Sequence, residues 1–430
     1  MMQLPRYESY KDSGVEWLGE IPEHWGCDTL RSATLLKSDK NRPDLQVLSV
    51  YREYGVIIKD SRDDNHNATS LDTSTYKVVQ PGDLVVNKMK AWQGSMGVSE
   101  YEGVVSPAYI TCKTNQDDFH PKYLHYLLRS KGYVGVYNSI SYGVRIGQWD
   151  LRYEDFKKVV IPIPLIGEQK RIAAFLDQKT AEIDEAIAKK QKLIELLQEQ
   201  KSILINQAVT KGLNPDVPMK DSGIEWIGEI PAHWEVKRLK HISLSVQTGR
   251  TPPTANASLF ENGTINWFTP GDFGDSCVVN SAQKKLHQTA LKNKFINLYE
   301  KNSILFIGIG ATLGRVALMK TEGSCNQQIN IIRIDDLQNT MYYVYLLNCI
   351  RRSVFETTNF TTLPILNQSQ TKQILIVRPP HKEQSEIVNI CDDVNKEFYI
   401  AHKKVKEQIT KLQEYKSSLI SSVVTGKIKV

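Results

Sequence analysis

Two stretches near the middle of the N-terminal half combine side chains suited to nucleic acid. Lys88-Met89-Lys90-Ala91-Trp92-Gln93-Gly94 interleaves ammonium, indole and amide groups beside a glycine. Lysine can pair with phosphate or guanine, and glutamine presents the donor and acceptor that adenine matches. Tyr142-Gly143-Val144-Arg145-Ile146-Gly147-Gln148-Trp149 repeats that composition further on. The C-terminal half has its own set: Gly308–Arg315 (GIGATLGR), then Asn326-Gln327-Gln328, then Asn359–Gln370 (NFTTLPILNQSQ). The competing reading of each stretch is a structural turn with polar surface residues. Catalytic chemistry has no comparable signature. GIGATLGR lacks the Gly-Lys-Ser/Thr ending of a phosphate loop, and its spacing is not GxGxxG. No HExxH, GxSxG or Cys-rich zinc pattern is present. The proline pairs, Thr251-Pro252-Pro253 and Arg378-Pro379-Pro380, do not form the Asp/Asn/Ser-Pro-Pro-aromatic motif of amino-methyltransferases. These residues point to binding and assembly.

The elements that position them are written twice. Lys11–Trp25 reads KDSGVEWLGEIPEHW and Lys220–Trp234 reads KDSGIEWIGEIPAHW, identical at twelve of fifteen positions with an offset of 209. His24 and His233 fall at equivalent places beside Trp25 and Trp234, and repetition in both halves favours packing over catalysis. A second pair follows: Val160–Pro164 with Glu168-Gln169, and Ile376–Pro380 with Glu383-Gln384. LLQEQKS (Leu196–Ser202) then matches KLQEYKS (Lys411–Ser417). The period is far longer than a solenoid repeat, so each half is a duplicated domain plus connector.

The connectors read as long helices. From Glu168 to Thr210 the apolar residues Ile172, Leu176, Ile183, Ile187, Ile194, Leu197, Leu204 and Ala208 step by three, four or seven along one face. From Glu383 to Thr425 the same face carries Ile387, Cys391, Val394, Phe398, Val405, Ile409, Leu412, Leu419 and Val423. Gly212 and Gly426 stand just past the ends, where helices stop. Such a helix must bury its stripe. The natural partner is the other copy, paired antiparallel about a pseudo-two-fold axis and acting as a spacer. The alternatives are the helix's own domain or another chain.

Residues 26–166 and 235–380 differ from one another. Both mix strand-like runs (Asp83–Asn87, Val104–Thr111, Ser303–Gly308, Gln328–Ile334) with short helical stretches (Tyr123–Arg129, Tyr342–Arg352), which predicts α+β domains. Residues 235–380 hold 16 basic and 9 acidic side chains, and residues 26–166 hold 18 and 16. The formal charge of +6 is therefore concentrated in the variable domains, chiefly the second, where a phosphate-binding face is expected. A length of 430 residues and an apolar fraction of 41% exclude a disordered chain and allow two to four domains. The longest apolar stretches, such as Ile304–Leu313, are too short to span a membrane. No secretory signal is visible, so a cytoplasmic location is expected. The six cysteines, at 27, 112, 277, 325, 349 and 391, are scattered, which predicts buried structural thiols without disulfides or zinc.

The order of parts resembles the specificity (S) subunit of type I restriction–modification systems, over essentially the whole chain. The resemblance rests on KDSGxEWxGEIPxHW before each variable domain, on Gly82–Tyr109 (GDLVVNKMKAWQGSMGVSEYEGVVSPAY), and on the Glu-Gln pairs opening each helix. It implies an α+β fold with two α/β target-recognition domains, separated by two long helices that form an antiparallel coiled coil. The expected divisions are 1–166, 167–213, 214–380 and 381–430. It implies that each domain reads one half of a bipartite double-stranded DNA target. The helices would dock two modification (M) subunits, and restriction (R) subunits would join them. S-adenosylmethionine, ATP and Mg would be bound by those partners, with no cofactor or metal on this chain and no catalysis by it. By position, Lys88, Lys90, Trp92, Gln93, Ser106, Tyr109, Tyr142, Arg145 and Gln148 would face DNA in the first domain. Thr312, Arg315, Asn326, Gln327, Gln328, Thr361, Asn367 and Gln368 would do so in the second. The competing functions are a stand-alone methyltransferase or nuclease, and a coiled-coil scaffold without a DNA role.

Overall fold

The computed structural model describes residues 5–61, 72–145, 148–253, 255–274, 276–336, 338–351 and 365–430. The side chains of residues 144, 145 and 148 are outside the description, and so is Thr361. The chain divides into two compact units. One comprises residues 1–191 and 406–430, the other residues 192–405.

The two long helices run Ile166–Lys211 (46 residues) and His381–Val424 (44 residues), or about 69 and 66 Å at ~1.5 Å per residue. Each begins in one unit and ends in the other. Inside the first unit they pair. Lys190 Nζ donates to Gln408 Oε1 at 2.6 Å, and Lys416 Nζ reaches Asp184 at 2.6 Å. As the residue number falls along one helix it rises along the other, so the pair is antiparallel. Ile172, Leu176 and Ile183 share a core with Leu419, Val423 and Val424. In the second unit Ile205, Ala208 and Val209 share a core with Ile387, Val388 and Cys391. Each stripe is covered jointly by the other helix and by the domain core of the unit it lies in.

One position in the expected stripe is displaced. Leu204 is 37% exposed, and Ile205 is buried in its stead. An α-helix drifts ~20° per heptad against a strict seven-residue repeat. Three heptads separate Ile183 from Leu204, enough to turn the buried face toward the next residue.

Each unit places the same parts around its helices. In the first, the motif hairpin Tyr10–Asp12/Glu20–Pro22 precedes the strand Gly26–Thr29, which pairs antiparallel with the proline-bearing strand Val160–Ile163. In the second, Met219–Asp221/Glu229–Pro231 precedes Glu235–Arg238, paired with Leu375–Arg378. Between these clamps the units diverge. The first has a four-stranded sheet ordered Thr34–Lys37, Ile110–Thr114, Leu84–Val86, Met96–Val98. The second has a five-stranded sheet ordered Ser243–Thr248, Ile329–Ile334, Ile304–Ile307, Val316–Met319, Val278–Val279, and a smaller sheet of three strands. The run expected as one strand over Val104–Thr111 is two, Gly103–Val105 and Ile110–Thr114. Pro107 has no N–H to give a ladder, and a turn closes there, with Tyr109 N donating to Ser106 O at 3.0 Å.

The cysteines are all free. Cys112, Cys325 and Cys391 are buried as expected, but Cys27 is exposed, and Cys277 and Cys349 are only partly covered. No described helix is long and apolar enough to cross a membrane.

Candidate nucleic-acid interface

The repeated motif and the Glu-Gln pair, read separately in the sequence, find each other in space. In the first unit Glu168 is 5% exposed and opens the long helix. Its Oε2 accepts from Trp25 Nε1 at 3.1 Å and lies 3.0 Å from His24 Nε2, while Oε1 accepts from the Tyr7 hydroxyl. Burial and then this bond to Glu168 push the Tyr7 phenol above its ordinary range. Gln169 completes the joint. Its Oε1 accepts from His120 N, and its Nε2 donates to Asp118 O and Pro164 O. The second unit repeats the arrangement. Glu383 Oε2 takes Trp234 Nε1 at 3.0 Å and His233 Nε2 at 2.9 Å, and Gln384 bridges Asn339 N and Pro379 O. A charge-assisted bond to a buried indole is among the stronger polar contacts a fold can hold. The two histidines are half-exposed partners of these carboxylates, and the clasp fixes each variable domain to its helix.

The far end of the other helix closes on the same motif. In the first unit Lys427 Nζ donates to the carbonyls of Leu18 and Glu20, and Tyr123 hydroxyl to Val424 O. In the second, Lys211 Nζ donates to the carbonyls of Ile227 and Glu229, and Tyr342 hydroxyl to Val209 O. The variable domain of each unit thus stands on a framework bonded at both helix ends.

In the first unit three of the singled-out segments converge. The ring of Trp92 lies 4.9 Å from that of Trp149. Lys88 Nζ is 3.3 Å from Asp150 Oδ1, and Leu151 N donates to Lys88 O. Trp149 and Asp150 belong to the strand Gln148–Asp150, which pairs with Tyr142–Arg145, so the two lysine/arginine–tryptophan stretches form one surface. Gly94 seats this loop, with φ +89° and only 3.0 Å between an added Cβ and Val134. Lys90 is exposed, Gln93 half-buried, and Tyr142 56% exposed under the Arg152 guanidinium. Tyr109 is half-buried, and its hydroxyl accepts from Asn87 Nδ2 at 3.4 Å, which ties the Ser106–Tyr109 turn to the residue before Lys88.

In the second unit the loops also meet. Gly308 N donates to Gln328 O, Leu366 N to Gly308 O, and Ile309 bridges Ile365. Asn330, not singled out in the sequence, is the hub. Its amide donates to Leu366 O and Thr371 Oγ1 and accepts from Thr248 Oγ1. Several expected contact residues spend their side chains inside the cluster. Asn367 caps the helix Gln368–Gln373, Gln368 donates to Val246 O, Asn326 bonds Gln328, and Arg315 donates to Gly274 O. Gln327 is exposed and Thr312 half-buried. A capping asparagine and a base-reading asparagine look alike in sequence. The Asn367/Gln370 capping-box spacing was the available signal.

Residues 38–196 and 231–411 match the family model described as the type I restriction modification DNA specificity domain. The chain belongs to the type I restriction–modification specificity family. It is a DNA-specificity chain with two target-recognition domains, and its role in such a complex is recognition, not catalysis. It is 26% identical to the MjaIX specificity subunit of Methanocaldococcus jannaschii, over 81% of this chain and 74% of that one. It is 22% identical to the StySPI specificity subunit of Salmonella potsdam, over 95% and 90%. Its fold is similar to a chain solved in a study of complex assembly and conformational transition of the type I R-M system. There the TM-score is 0.69 at 16% identity, covering 94% of this chain and 98% of that one. A specificity chain of this family works with DNA and partner subunits. Among its described residues, no group of three or more His, Cys, Asp or Glu could hold a metal.

Proposed function

We propose that each unit of this specificity chain reads one half of a bipartite DNA sequence through its converged loops. In the first unit the reading surface is built from Lys88, Lys90, Trp92, Gln93, Ser106, Tyr142, Arg145 and Gln148, with Tyr109 as support. In the second it is the Thr312–Arg315 and Asn326–Gln328 loops, supported by the capping Asn367 and by Gln368; Thr361, outside the described residues, is assigned to the same surface. The domains divide near 1–166 and 214–380, with spacer helices over 167–213 and 381–430. Two modification subunits dock along those helices, which expose Leu193, Leu196 and Ile203 on one and Tyr399 and Ile400 on the other. Those subunits bind S-adenosylmethionine and methylate adenine, and restriction subunits bring ATP and Mg. The assembly works in the cytoplasm.

One observation carries this reading. The two basic–aromatic segments of the first unit, more than fifty residues apart in sequence, meet through the tilted rings of Trp92 and Trp149. An aromatic contact between two segments so far apart in sequence supports a single binding surface. The test is methylation-sensitive sequencing of a host with and without this chain, alongside active modification subunits. The expected result is a discontinuous methylated sequence, two defined halves around a fixed unspecified spacer, present only with the chain. An unchanged methylation pattern overturns the reading.

A further inference from the structure

We infer that Tyr126 and Tyr345 are positioning residues that set the spacing at which the two reading surfaces accept their half-sites. Each does so by bonding a short helix behind its reading surface to a long helix of the same unit. The inference rests on the DNA-reading role proposed above and assigns the spacing to two side chains.

The short helices are Pro121–Leu128 and Thr340–Cys349. They lie in the regions where the units diverge, yet each carries two tyrosines one turn apart, Tyr123 and Tyr126 in the first unit and Tyr342 and Tyr345 in the second. The first tyrosine of each pair holds the end of one long helix, Tyr123 at Val424 O and Tyr342 at Val209 O. The second reaches the early turns of the other. Tyr126 hydroxyl donates to Asp177 Oδ1 at 2.8 Å, and Thr180 Oγ1 lies 3.3 Å from it. Tyr345 hydroxyl donates to Asp392 Oδ1 and accepts from Asn395 Nδ2 at 2.8 Å. Burial raises both phenols, Tyr126 to about 12, so both stay protonated as donors.

The two aspartates occupy matching places, each nine residues past the clasp acid, Glu168 or Glu383. Nine residues are about two and a half turns, so the second bond lies ~14 Å along the helix and on its other side. A clasp at the helix start alone leaves a domain free to swing about that point. The tyrosine bond removes the swing. The short helices also back the reading loops. Pro121–Leu128 packs on the strand Met96–Val98, which leaves the Lys88–Gly94 loop. Thr340–Cys349 packs on Val316–Met319, which leaves the Thr312–Arg315 loop. There Asn348 Oδ1 accepts from Val316 N at 3.1 Å, and its Nδ2 donates to Val316 O at 2.9 Å. Each loop is thus linked to a long helix through a strand, a short helix and one tyrosine hydroxyl. One added base pair moves a half-site by about 3.4 Å and turns it by about 35°. A domain held only at the clasp can follow that turn, and one held at both points cannot without breaking the tyrosine bond.

The experiment measures binding of the full chain, with its modification subunits, to four duplexes. They are the target found by methylation sequencing, the target with one base pair added to its spacer, the target with one removed, and the target with one half scrambled. The Tyr126→Phe/Tyr345→Phe variant loses two hydroxyls and keeps both rings. Its preference for the native spacer over the altered ones should fall about tenfold, the worth of roughly one charge-assisted hydrogen bond. Its preference over the scrambled half should stay at the wild-type value. The Tyr126→Phe and Tyr345→Phe single variants should each show part of the loss. The Asp177→Asn/Asp392→Asn variant leaves each tyrosine an oxygen to donate to, and should keep the wild-type spacing preference. An unchanged spacing preference in the phenylalanine variants overturns the assignment. So does an equal fall in both preferences, which would make the tyrosines general supports of the fold. A wild-type complex that binds the scrambled half as well as the native target overturns the DNA-reading role itself, and the assignment with it.

Discussion

At the scale of single residues, the side chains that hold the most are acids at the start of each long helix. Glu168 answers three donors, and losing its carboxylate leaves the Trp25 indole N–H buried without a partner. Glu168→Ala should therefore cost about 1–3 kcal/mol, read as a lower urea midpoint. Glu383→Ala should do the same to the second unit, with a smaller loss because Glu383 is more exposed. His125 gives a pH signature. Gly55 and Gly97 approach its ring, and Arg129 Nη1 donates to its Nε2 at 2.6 Å. Desolvation, then the Arg129 charge, push His125 down to about 3. Above its ordinary value near 6.5 the ring is neutral folded or unfolded, and its contribution is fully present. As pH falls from ~6.5 toward 3 the unfolded chain takes up a proton the folded one refuses, so stability drops across that window. His125→Gln keeps an acceptor for Arg129 and cannot titrate. Its denaturant midpoint should fall less steeply from pH 6.5 to 4 than that of the wild type, and an equal slope would refute the assignment.

At the scale of elements, glycines decide where the helices end. Gly212 and Gly426 both have positive φ, 76° and 74°. An added Cβ at Gly426 would lie 2.3 Å from Pro22, whereas at Gly212 the nearest atom, Glu383 Oε1, is 3.1 Å away. Gly14 shares the backbone conformation but has nothing within 4 Å. Alanine at Gly14 should cost only the backbone strain of about 1–2 kcal/mol. Gly212→Ala should cost somewhat more and Gly426→Ala the most, an order that thermal melting of the three variants would check. These elements were legible because periodicity and punctuation survive without tertiary information. The stripe from Ile387 to Val423 and both stops could be read directly. The cluster around Asn330 could not, since its hydrogen bonds join segments more than thirty-five residues apart. The Glu168–Trp25 clasp was half legible. Both partners are conspicuous as repeats, but only the fold brings residues 143 apart into contact.

At the scale of the whole molecule, the duplication is one of assembly as well as of sequence, for each unit takes the start of one long helix and the end of the other. In the proposed arrangement the helices set the distance between half-sites. Inserting four residues into the middle of both adds about 6 Å at ~1.5 Å per residue. The unspecified spacer of the methylated sequence should lengthen by roughly two base pairs, and an unchanged spacer in the methylome would refute the ruler. The division into units also has a temporal side. Residues 192–405 are contiguous and can close as soon as they are made. The first unit cannot, because the core around Trp25, Ile172 and Leu176 includes Leu419, Val423 and Val424. At synthesis rates of ~5–20 residues per second, that apolar surface waits roughly 10–40 s for the strip that covers it. The N-terminal unit is translated first and completed last, so the ribosome leaves its open groove exposed to chaperones for the whole time the second unit is being made.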